Sequence, residues 1–414
     1  MHSLRGPATM IVIALLAACA GADIRHSPEG GQYDGVIRFG SPVSQTGKYT
    51  REGRDTKQGY DTWQTWVNEE YGGIRVGAER YRAEIVYYDD ESEAGTAAAL
   101  TERLITRDHV DFLLGPYSSA LNASASPIAE RHQTIMVTGT GSADSLFQRG
   151  FRHFFSTMTV ASRYTESALE ALAKVGARTV VVAHEDTEFP IDAGRGAVAY
   201  AEKFGMEVLA VETYPRATPD VSAMIAKFRS LDPDVFVGAG YFVDALLLAR
   251  AAQEQGFTPG AMVLTVGPTS PSFADELGEA AELVIGPTQW ESAMSWEDGW
   301  FGTSADYATR YQREHGMGPT YQAAGSTAAA LALQLAIEEA GTTETEAVRE
   351  EMVGLDIETF YGPIRFDADG RNAAKSMGSI QIQEGGLELI TPADGASGRL
   401  IYPRGDGSVT EGAP

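Results

Sequence analysis

The sequence feature that most constrains the fold is an alternation that begins at Val36. Short runs of β-branched or apolar residues alternate with stretches whose apolar residues recur at helical spacing. Residues 36–39 and 84–88 (EIVYY) predict strands, and residues 52–71 place Tyr60 and Trp63 on one helical face. Parallel strands joined by crossover helices produce this pattern. The sequence therefore predicts an α/β fold.

The alternation occurs twice along the chain, in units of similar size. The first unit has predicted strands at 36–39, 84–88, 111–114 and 135–137, and the second has them at 179–183, 207–211, 234–238 and 262–266. A helix-rich stretch and two short predicted strands follow, at 304–340, 364–366 and 379–382. These are too few elements for a third domain, so we expect them to complete the two lobes, with the chain crossing between lobes more than once.

The N-terminus resembles a bacterial export signal. The apolar run at 10–20 is about half the ~20 residues that span a bilayer, which favours a signal peptide over residues 1–18. The only cysteine, Cys19, ends the segment LAAC, which matches the lipobox of lipid-modified proteins. The alternative is a chance cysteine in an ordinary signal peptide. We expect residues 19–33 to form a lipid-anchored tether, and the protein to lie in the periplasm or on the cell surface.

Composition excludes several classes of function. With 57 acidic against 32 basic residues and a net charge of -25, the chain is unsuited to nucleic acid, whose binding needs basic surface. One cysteine rules out a disulfide scaffold or a multi-cysteine metal site. The seven histidines are scattered, and common hydrolase, metalloprotease and Walker motifs are absent from the sequence. We therefore predict no enzymatic activity, no cofactor and no metal.

Two acidic segments were weighed as alternatives to that prediction. Residues 184–188 (HEDTE) could suggest a metal site, but a solvated acidic loop is the simpler interpretation. Residues 89–91 (DDE) could suggest paired catalytic carboxylates, but a structural loop start is the preferred interpretation, because members of the family that the motifs below resemble carry the same acidic turn.

Polar and glycine-rich segments follow the predicted strands of the first unit. The strand that ends at Leu114 continues into GPYSS and then a helix, so Ser118 and Ser119 stand where a helix N-terminus suits a carboxylate. Plain N-capping is the structural alternative. Pro127 either kinks this helix or restarts it with Ser126 as the cap.

A second such segment is TGTGS at residues 138–142. Its glycines would let the backbone approach a ligand closely. As a dinucleotide-binding fingerprint it fails, because Asp144 stands where the third glycine belongs, and the Gly238 and Gly240 pair also lacks its third.

Seven motifs, taken together and in this order, resemble the type 1 periplasmic solute-binding proteins, in the branched-chain amino acid (Leu/Ile/Val) branch that serves ABC importers. The resemblance covers roughly residues 34–395. It implies two Rossmann-like lobes with parallel sheets, joined by three crossovers and closing on a ligand. The motifs are FGSPVSQTG (39–47), YYDDES (87–92), LLGPYSSA (113–120), TGTGSADSL (138–146), VGAGYFVDA (237–245), VGPTSPSF (266–273) and TFYGPIRFDADG (359–370).

The resemblance also implies a division into domains. After the signal peptide and the tether, we expect an N-terminal lobe of residues 34–157 plus 290–358. A C-terminal lobe of residues 158–289 plus 359–395 completes the clamshell. The polar, Gly- and Pro-rich residues 396–414 are predicted to be a frayed tail.

The family pattern can be carried over to particular residues. In the first lobe it implies that Ser118 and Ser119 lie at the ligand, and that Thr140 offers backbone groups and Ser142 its hydroxyl. In the second lobe it implies aromatic residues after two strands. These are Tyr241 and Phe189, the latter where the family commonly has tyrosine. Tyr49 is a looser candidate, and core packing is the alternative for the aromatic residues.

One departure from the family concerns the ligand. Family members that bind α-amino acids typically carry a carboxylate where this chain has Thr269. A buried ammonium without a counter-charge is costly. Either another acid replaces it, with Asp186, Glu188 or Glu291 as candidates, or the ligand lacks a free amino group.

The expected function follows from these predictions. The ligand is an amino acid or a related small carboxylate or amide, and the expected protein partners are the permease subunits of an ABC importer. The alternative is an envelope lipoprotein of the same fold that acts as a ligand sensor or regulates a partner enzyme.

Overall fold

The computed structural model describes residues 2, 33–392 and 395–404. The predicted signal peptide, Cys19 and most of the tether lie outside the described residues. Within the described part of the chain, no helix combines the length and apolar character needed to cross a membrane.

The first sheet has six strands, and its predicted members are confirmed. Its order is β2-β3-β1-β4-β5-β6, with β2 antiparallel to β3 and the other neighbours parallel. Strands β2 and β6 were not predicted from the sequence, because a three-residue strand is too short to show a period. The strands are β1 (Gly35–Val43), β2 (Ile74–Val76), β3 (Glu79–Asp89), β4 (Phe112–Leu114), β5 (Met136–Thr138) and β6 (Phe154–Ser156).

Three helices connect these strands: α1 (Thr50–Trp66), α2 (Ala94–Thr106) and α3 (Ser119–Arg131). The predicted inward face of α1 is confirmed, since Tyr60 and Trp63 are fully buried. A single π-helical turn continues α1 as far as Tyr71. Gly72, with a φ of 86°, then ends the helix in the left-handed conformation that glycine tolerates.

Helix α3 runs through Pro127 as one element, so of the two alternatives for Pro127 the restart with Ser126 as cap is wrong. Proline cannot donate to the Ala123 carbonyl, and the Arg149 guanidinium donates to that oxygen instead at 3.1 Å. The Ser126 hydroxyl donates to the Asn122 carbonyl rather than capping a helix.

The second sheet begins with five parallel strands, four of which the sequence predicted. They are β7 (Thr179–Glu185), β8 (Glu207–Tyr214), β9 (Val235–Ala239), β10 (Ala261–Leu264) and β11 (Val284–Thr288). The surrounding helices are α4 (Glu166–Lys174), α5 (Glu188–Lys203), α6 (Ser222–Leu231), α7 (Phe242–Glu254) and α8 (Pro271–Leu277). Gly205 and Gly256 follow α5 and α7 with positive φ, a conformation that favours glycine at helix ends.

The chain then returns to the first sheet. Helix α10 packs on α1, and a Cβ atom at Gly59 would lie 2.2 Å from the Ala323 carbonyl oxygen, so only glycine permits this approach. Trp63 donates from Nε1 to Gln334 at 2.8 Å across the same contact. This returning segment contains β12 (Glu297–Asp298), β13 (Gly302–Thr303), α9 (Ser304–His315), α10 (Tyr321–Ala340), α11 (Thr345–Gly354), β14 (Asp356–Thr359) and β15 (Gly362–Arg365).

The last strands complete the second sheet. β16 (Gly378–Gln383) and β17 (Gly386–Thr391) add an antiparallel edge, giving the order β17-β16-β11-β10-β9-β7-β8. The predicted strand at 364–366 does not join it, because β14 and β15 pair with each other as a separate hairpin. The chain therefore crosses between the two sheets three times, after β6, β11 and β15. We call each sheet with its helices a lobe; the residue boundaries of the domains remain predictions.

The expectation of a frayed C-terminal tail was wrong for the residues up to 404. Gln381 exchanges two hydrogen bonds of 2.9 Å with the backbone of Ile401, and Tyr402 is buried against the second lobe. The amide of Arg404 donates to the Gly260 carbonyl at 2.8 Å. Two apolar side chains in this polar segment, Leu400 and Tyr402, pack on the second lobe and could have indicated that the segment is ordered.

Candidate functional site

A narrow cavity lies where the carboxyl ends of both sheets meet, the place where open α/β sheets bind ligands. Its free volume is about 10 Å³, roughly room for one water molecule. Five of the predicted ligand residues line it, namely Ser119, Thr140, Ser142, Phe189 and Tyr241. The remaining lining residues are Tyr117, Met158, Tyr164, Val266, Tyr321 and Gln322.

The two serines at the start of α3 have different roles. The Ser119 hydroxyl oxygen accepts hydrogen bonds from the amides of Ser142 and Ala143, at 3.1 and 3.0 Å. Its own hydrogen remains available to an acceptor in the cavity. Ser118 occupies the N-cap position in an extended conformation, but its side chain makes no capping hydrogen bond. Neither serine caps the helix with its side chain, so plain N-capping, the structural alternative, does not describe their role.

Thr140 has fewer free groups than the family pattern implied. Its amide donates to the Thr138 hydroxyl at 3.1 Å, and its own hydroxyl donates to the Pro116 carbonyl at 3.0 Å. Its carbonyl oxygen is the group left for a ligand. The neighbouring glycines serve packing rather than ligand approach, because a Cβ at Gly139 would lie 2.1 Å from the carbonyl carbon of Gly325 in α10.

Aromatic rings from both lobes form a layer at the cavity, and all of them except Tyr49 line it. Tyr241, which is the N-cap residue of α7, lies 5.0 Å from Tyr49 and 5.6 Å from Phe189 between ring centroids. Tyr117 and Tyr164 extend this layer, at 6.1 Å from Tyr241 and 4.8 Å from Phe189. Such tilted and edge-to-face contacts stabilise ring pairs beyond their buried area. These five rings are called the aromatic wall below.

Three hydroxyls at this wall lack hydrogen-bond partners. Within the described part of the chain, Tyr49 OH, Ser118 Oγ and Tyr241 OH complete no hydrogen bond of normal geometry, although each residue is at most 2% exposed and the Ser118 hydroxyl lies near both phenols. Burial raises the pKa of both phenols, and the nearby Ser118 hydroxyl only partly opposes this effect. Buried polar groups are normally paired, so this cluster is a feature that a ligand could complete.

Six positions considered in the sequence are not part of the cavity lining, and among them Ser118 and Tyr49 were predicted ligand residues. Thr269 is buried in the loop after β10 but is not among the lining residues. Asp186 accepts a hydrogen bond from the Arg216 amide at 2.7 Å. Glu188 lies in the first turn of α5, and Glu291 follows β11, where burial raises its pKa to about 8. None of these acids lines the cavity.

A buried ionic cluster joins the lobes beside the aromatic wall. Lys48, in the loop after β1, contacts two carboxylates of the second lobe: Glu185 at the end of β7 and, at 3.1 Å, Asp244 in the first turn of α7. Burial, and then the charge of Asp244, raise the pKa of Glu185. The interpretation of 184–188 as a solvated loop was therefore wrong for Glu185, whose side chain is fully buried.

The acidic turn after β3 holds the Lys48 loop in place, which agrees with its interpretation as the start of a structural loop. Asp89 accepts hydrogen bonds from the amides of Gln45 and Thr46, and Asp90 accepts one from the Ser44 hydroxyl at 2.6 Å. Both carboxylates therefore stabilise the loop.

An open groove of about 660 Å³ lies between α1 and the helices α7 and α8 of the second lobe. It is lined by Gln45, Lys48, Thr50, Arg51, Glu52, Arg54, Lys57, Phe242, Val243, Leu246 and Glu276. Among the described residues, no group of three or more potential ligating side chains could hold a metal ion.

Several residues of the site had no clear signal in the sequence. Tyr117 lies in the motif LLGPYSSA, so its position after a strand could have identified it as a site residue. Tyr164 and Tyr321 come from segments remote from any strand end. Lys48, Glu185 and Asp244 come from three separate segments, and only the folded chain brings them together.

The family assignment rests on the sequence as a whole. A model of the family described as periplasmic binding protein matches residues 36–386. The chain belongs to this family. The Leu/Ile/Val-binding protein homolog 7 of Brucella abortus is 23% identical over 389 residues, covering 89% of this chain and 94% of the relative. These matches confirm the resemblance to the branched-chain amino acid-binding branch.

Solved structures show the same fold. A leucine-binding protein from Thermotoga maritima aligns with a TM-score of 0.76 at 23% identity, covering 86% of this chain and 97% of that one. A branched-chain amino acid transporter substrate-binding protein from Streptococcus pneumoniae, in complex with isoleucine, also reaches 0.76, at 20% identity, covering 89% and 100%. The two-lobed type 1 architecture is therefore confirmed. Because the relatives are solute-binding proteins, they support a function without catalysis, outside the cytoplasm.

Proposed function

We propose that this chain is a lipid-anchored substrate-binding protein of an ABC importer, which captures an amino acid or a related small carboxylate or amide between two closing lobes. The observation that carries the proposal is the cavity itself. Hydroxyls and backbone groups from the first lobe face aromatic side chains from the second lobe across it.

The two sides of the cavity suit the two ends of such a ligand. Ser119 and Ser142 are both at most 2% exposed, and their hydroxyls can donate to a carboxylate. Phe189 and Tyr241 offer apolar faces for an aliphatic or aromatic side chain. A binding protein of this type needs no metal or cofactor.

The contacts between the lobes favour a closing mechanism. Besides the Lys48 cluster, Arg51 pairs with Glu276 at 2.7 Å, and Arg216 donates to the Ser92 carbonyl at 3.0 Å. With only about 10 Å³ of free space, the cavity can admit a ligand only if these contacts separate. The ligand then shifts the equilibrium between open and closed forms through the extra contacts it makes in the closed one.

Membrane anchoring rests on Cys19, which lies outside the described residues. A lipid anchor at this cysteine would keep the binding protein near its permease. Cys19→Ser should move the protein from the membrane fraction to the soluble periplasm when the cells are fractionated. If wild type and variant both fractionate as soluble proteins, the anchor is wrong and the binding function is unaffected.

The binding function is tested by thermal unfolding of the full chain in detergent against amino acids, their amides and aromatic acids. A ligand at a hundred times its Kd should stabilise the protein by about 2.7 kcal/mol. We expect at least one small carboxylate or amide to raise the unfolding temperature. If none does, and a protein partner is retained from envelope extracts, the sensor or regulator alternative replaces the importer.

A further inference from the structure

A fully buried lysine lies where the crossovers between the lobes meet. Lys375 belongs to the third crossover, between β15 and β16, and it has no exposed surface. Among the described residues, no carboxylate forms a salt bridge with it. Lysine is rarely buried without such a partner, because removing an ammonium group from water is costly. Its place in the crossover therefore has an explanation other than ion pairing.

Two aromatic rings and one carbonyl oxygen surround the amino group of Lys375. Its Nζ atom donates to the Tyr361 carbonyl and lies 3.8 Å from the ring centroid of Tyr361 and 3.9 Å from that of Trp296. A Cβ atom at Gly362 would lie 2.9 Å from Nζ, so only glycine leaves room for this arrangement. Burial lowers the pKa of Lys375, whereas the carbonyl and the ring faces favour its ammonium form. Trp296, Tyr361 and Lys375 are called the lysine cage below.

The backbone of Lys375 is held from the side of the second lobe. Its carbonyl accepts hydrogen bonds from the Thr159 hydroxyl at 3.0 Å and from the Arg163 guanidinium at 3.4 Å. Arg163 also pairs with Glu166, in the first turn of the second-lobe helix α4, at 2.9 Å. Thr159 exchanges two hydrogen bonds of 3.0 Å with Gln289, which directly follows β11. The Lys375 backbone is thus tied to the start of the second lobe and to the two other crossovers.

The side chain of Lys375 reaches the first lobe. Tyr361 lies in the turn between β14 and β15, and a Cβ atom at Gly325 of α10 would lie 3.1 Å from its hydroxyl. The Ser304 hydroxyl, at the start of α9, donates to the carbonyl of the neighbouring Phe360 at 2.8 Å. This turn therefore packs against the helices that return to the first sheet. Lys375 spans the hinge, with its backbone held on one side and its amino group on the other.

The same contacts lie next to the ligand cavity. Met158, which lines the cavity, directly precedes Thr159, and Tyr164, which also lines it, directly follows Arg163. The two residues that hold the Lys375 carbonyl are thus each adjacent to a cavity residue. A displacement of Lys375 would be passed on to the cavity wall through them.

We propose that Lys375 is a positioning residue of the hinge, which joins the two lobes through the lysine cage and favours the closed arrangement. The inference goes beyond the proposed binding function and rests on its closing mechanism. When the lobes separate, the Arg163 side of the hinge turns away from the Tyr361 side, and the amino group leaves the cage. Contacts that exist only in the closed form raise the population of that form.

The test measures the distance between the lobes in Lys375→Met, since methionine keeps much of the side-chain length but removes the donor and the charge. Spin labels at Thr65→Cys on α1 and Asp275→Cys on α8, both exposed, report this distance by pulsed electron paramagnetic resonance. Cys19→Ser in the background leaves no other cysteine to react. Without ligand, the variant should show at least about twice the wild-type fraction of the longer distance. Its affinity for leucine, measured by calorimetry, should fall about fivefold or more because the closed form is less populated.

A matched control separates this role from a purely structural one. Gln334 is fully buried and accepts a hydrogen bond from Trp63, which joins α10 to α1 within the first lobe. Gln334→Met should lower the unfolding temperature but leave the distance distribution unchanged and leucine affinity within about twofold. Trp296→Leu removes one ring of the cage and should widen the distance in the same direction as Lys375→Met, which keeps the test decisive if Lys375→Met does not fold.

The outcomes distinguish this inference from the binding function. If Lys375→Met and Trp296→Leu both keep the wild-type distances, Lys375 has only a structural role and this inference is overturned, whether or not leucine binds. An equal widening in Gln334→Met would overturn it as well. If the wild type binds no compound of the thermal panel while the cage variants still widen the distance, the binding function fails and the role of Lys375 in the hinge stands.

Discussion

In the loops after β4 and β5, the hydroxyls of Ser119 and Thr140 are hydrogen-bonded within the protein. On the adjoining aromatic wall, those of Ser118, Tyr49 and Tyr241 are equally buried and have no partner among the described residues. The acids show the same contrast, since Lys48 pairs with Glu185 and Asp244, while Glu52 forms no salt bridge with any described residue. Paired groups hold the loops and lobes in position, and unpaired groups carry a cost that a ligand can remove.

The largest expected effect on stability comes from the paired groups of the Lys48 cluster. Lys48→Met would leave Glu185 and Asp244 buried without a cation, and breaking such a cluster costs about 3 to 5 kcal/mol. Urea unfolding should show this loss at about pH 8 and a smaller loss as the pH falls through the raised pKa of Glu185, because protonation then neutralises that carboxylate.

The control for Lys48 is Lys57→Met on α1. Lys57 pairs with Asp61, and both side chains are about one third exposed, so the loss should be at most about 1 kcal/mol. Adding Glu185→Gln and Asp244→Asn to Lys48→Met should restore most of the lost stability. Equal losses in Lys48→Met and Lys57→Met would show that the cluster does not act as a buried charge site.

Adjacent serines provide the next test. Ser119→Ala removes the acceptor for the amides of Ser142 and Ala143, and each buried amide left unpaired costs about 1 to 3 kcal/mol. Ser118→Ala removes a hydroxyl that has no hydrogen bond, so its free energy of unfolding should change by less than about 0.5 kcal/mol. Chemical denaturation of the two variants checks the difference. A larger loss in Ser118→Ala would reverse the assignment of the two serines.

Part of this site could be predicted from the sequence, and part of it could not. Ser119 was predicted from its place after a strand, and Ser142, Phe189 and Tyr241 were predicted from the family resemblance, whose pattern places them after strand ends that meet in this fold. The pairing of their polar groups was not predictable, because it depends on distances between loops that are remote in sequence. Glu52 stands in an amphipathic helix where an acid normally indicates a solvated face, yet in the folded chain it is only 5% exposed.

The smallest expected effect compares two tyrosines. The Tyr60 hydroxyl donates to the Gly115 carbonyl at 2.8 Å, so Tyr60→Phe should cost about 1 kcal/mol of stability. Tyr241→Phe removes an unpaired hydroxyl and should leave the unfolding temperature of the ligand-free protein unchanged or slightly higher. If Tyr241→Phe is the more destabilising of the two in calorimetric scans, its hydroxyl has a structural partner and the comparison fails.

The central claim is that the unpaired polar groups mark where the ligand binds. Its most direct test is a calorimetric titration of leucine into the wild type and into a variant that combines Ser118→Ala, Tyr49→Phe and Tyr241→Phe. With each hydrogen bond to the ligand contributing about 1 kcal/mol, the variant should bind leucine at least about tenfold more weakly while unfolding at no lower temperature. An affinity within about twofold of the wild type would contradict the claim.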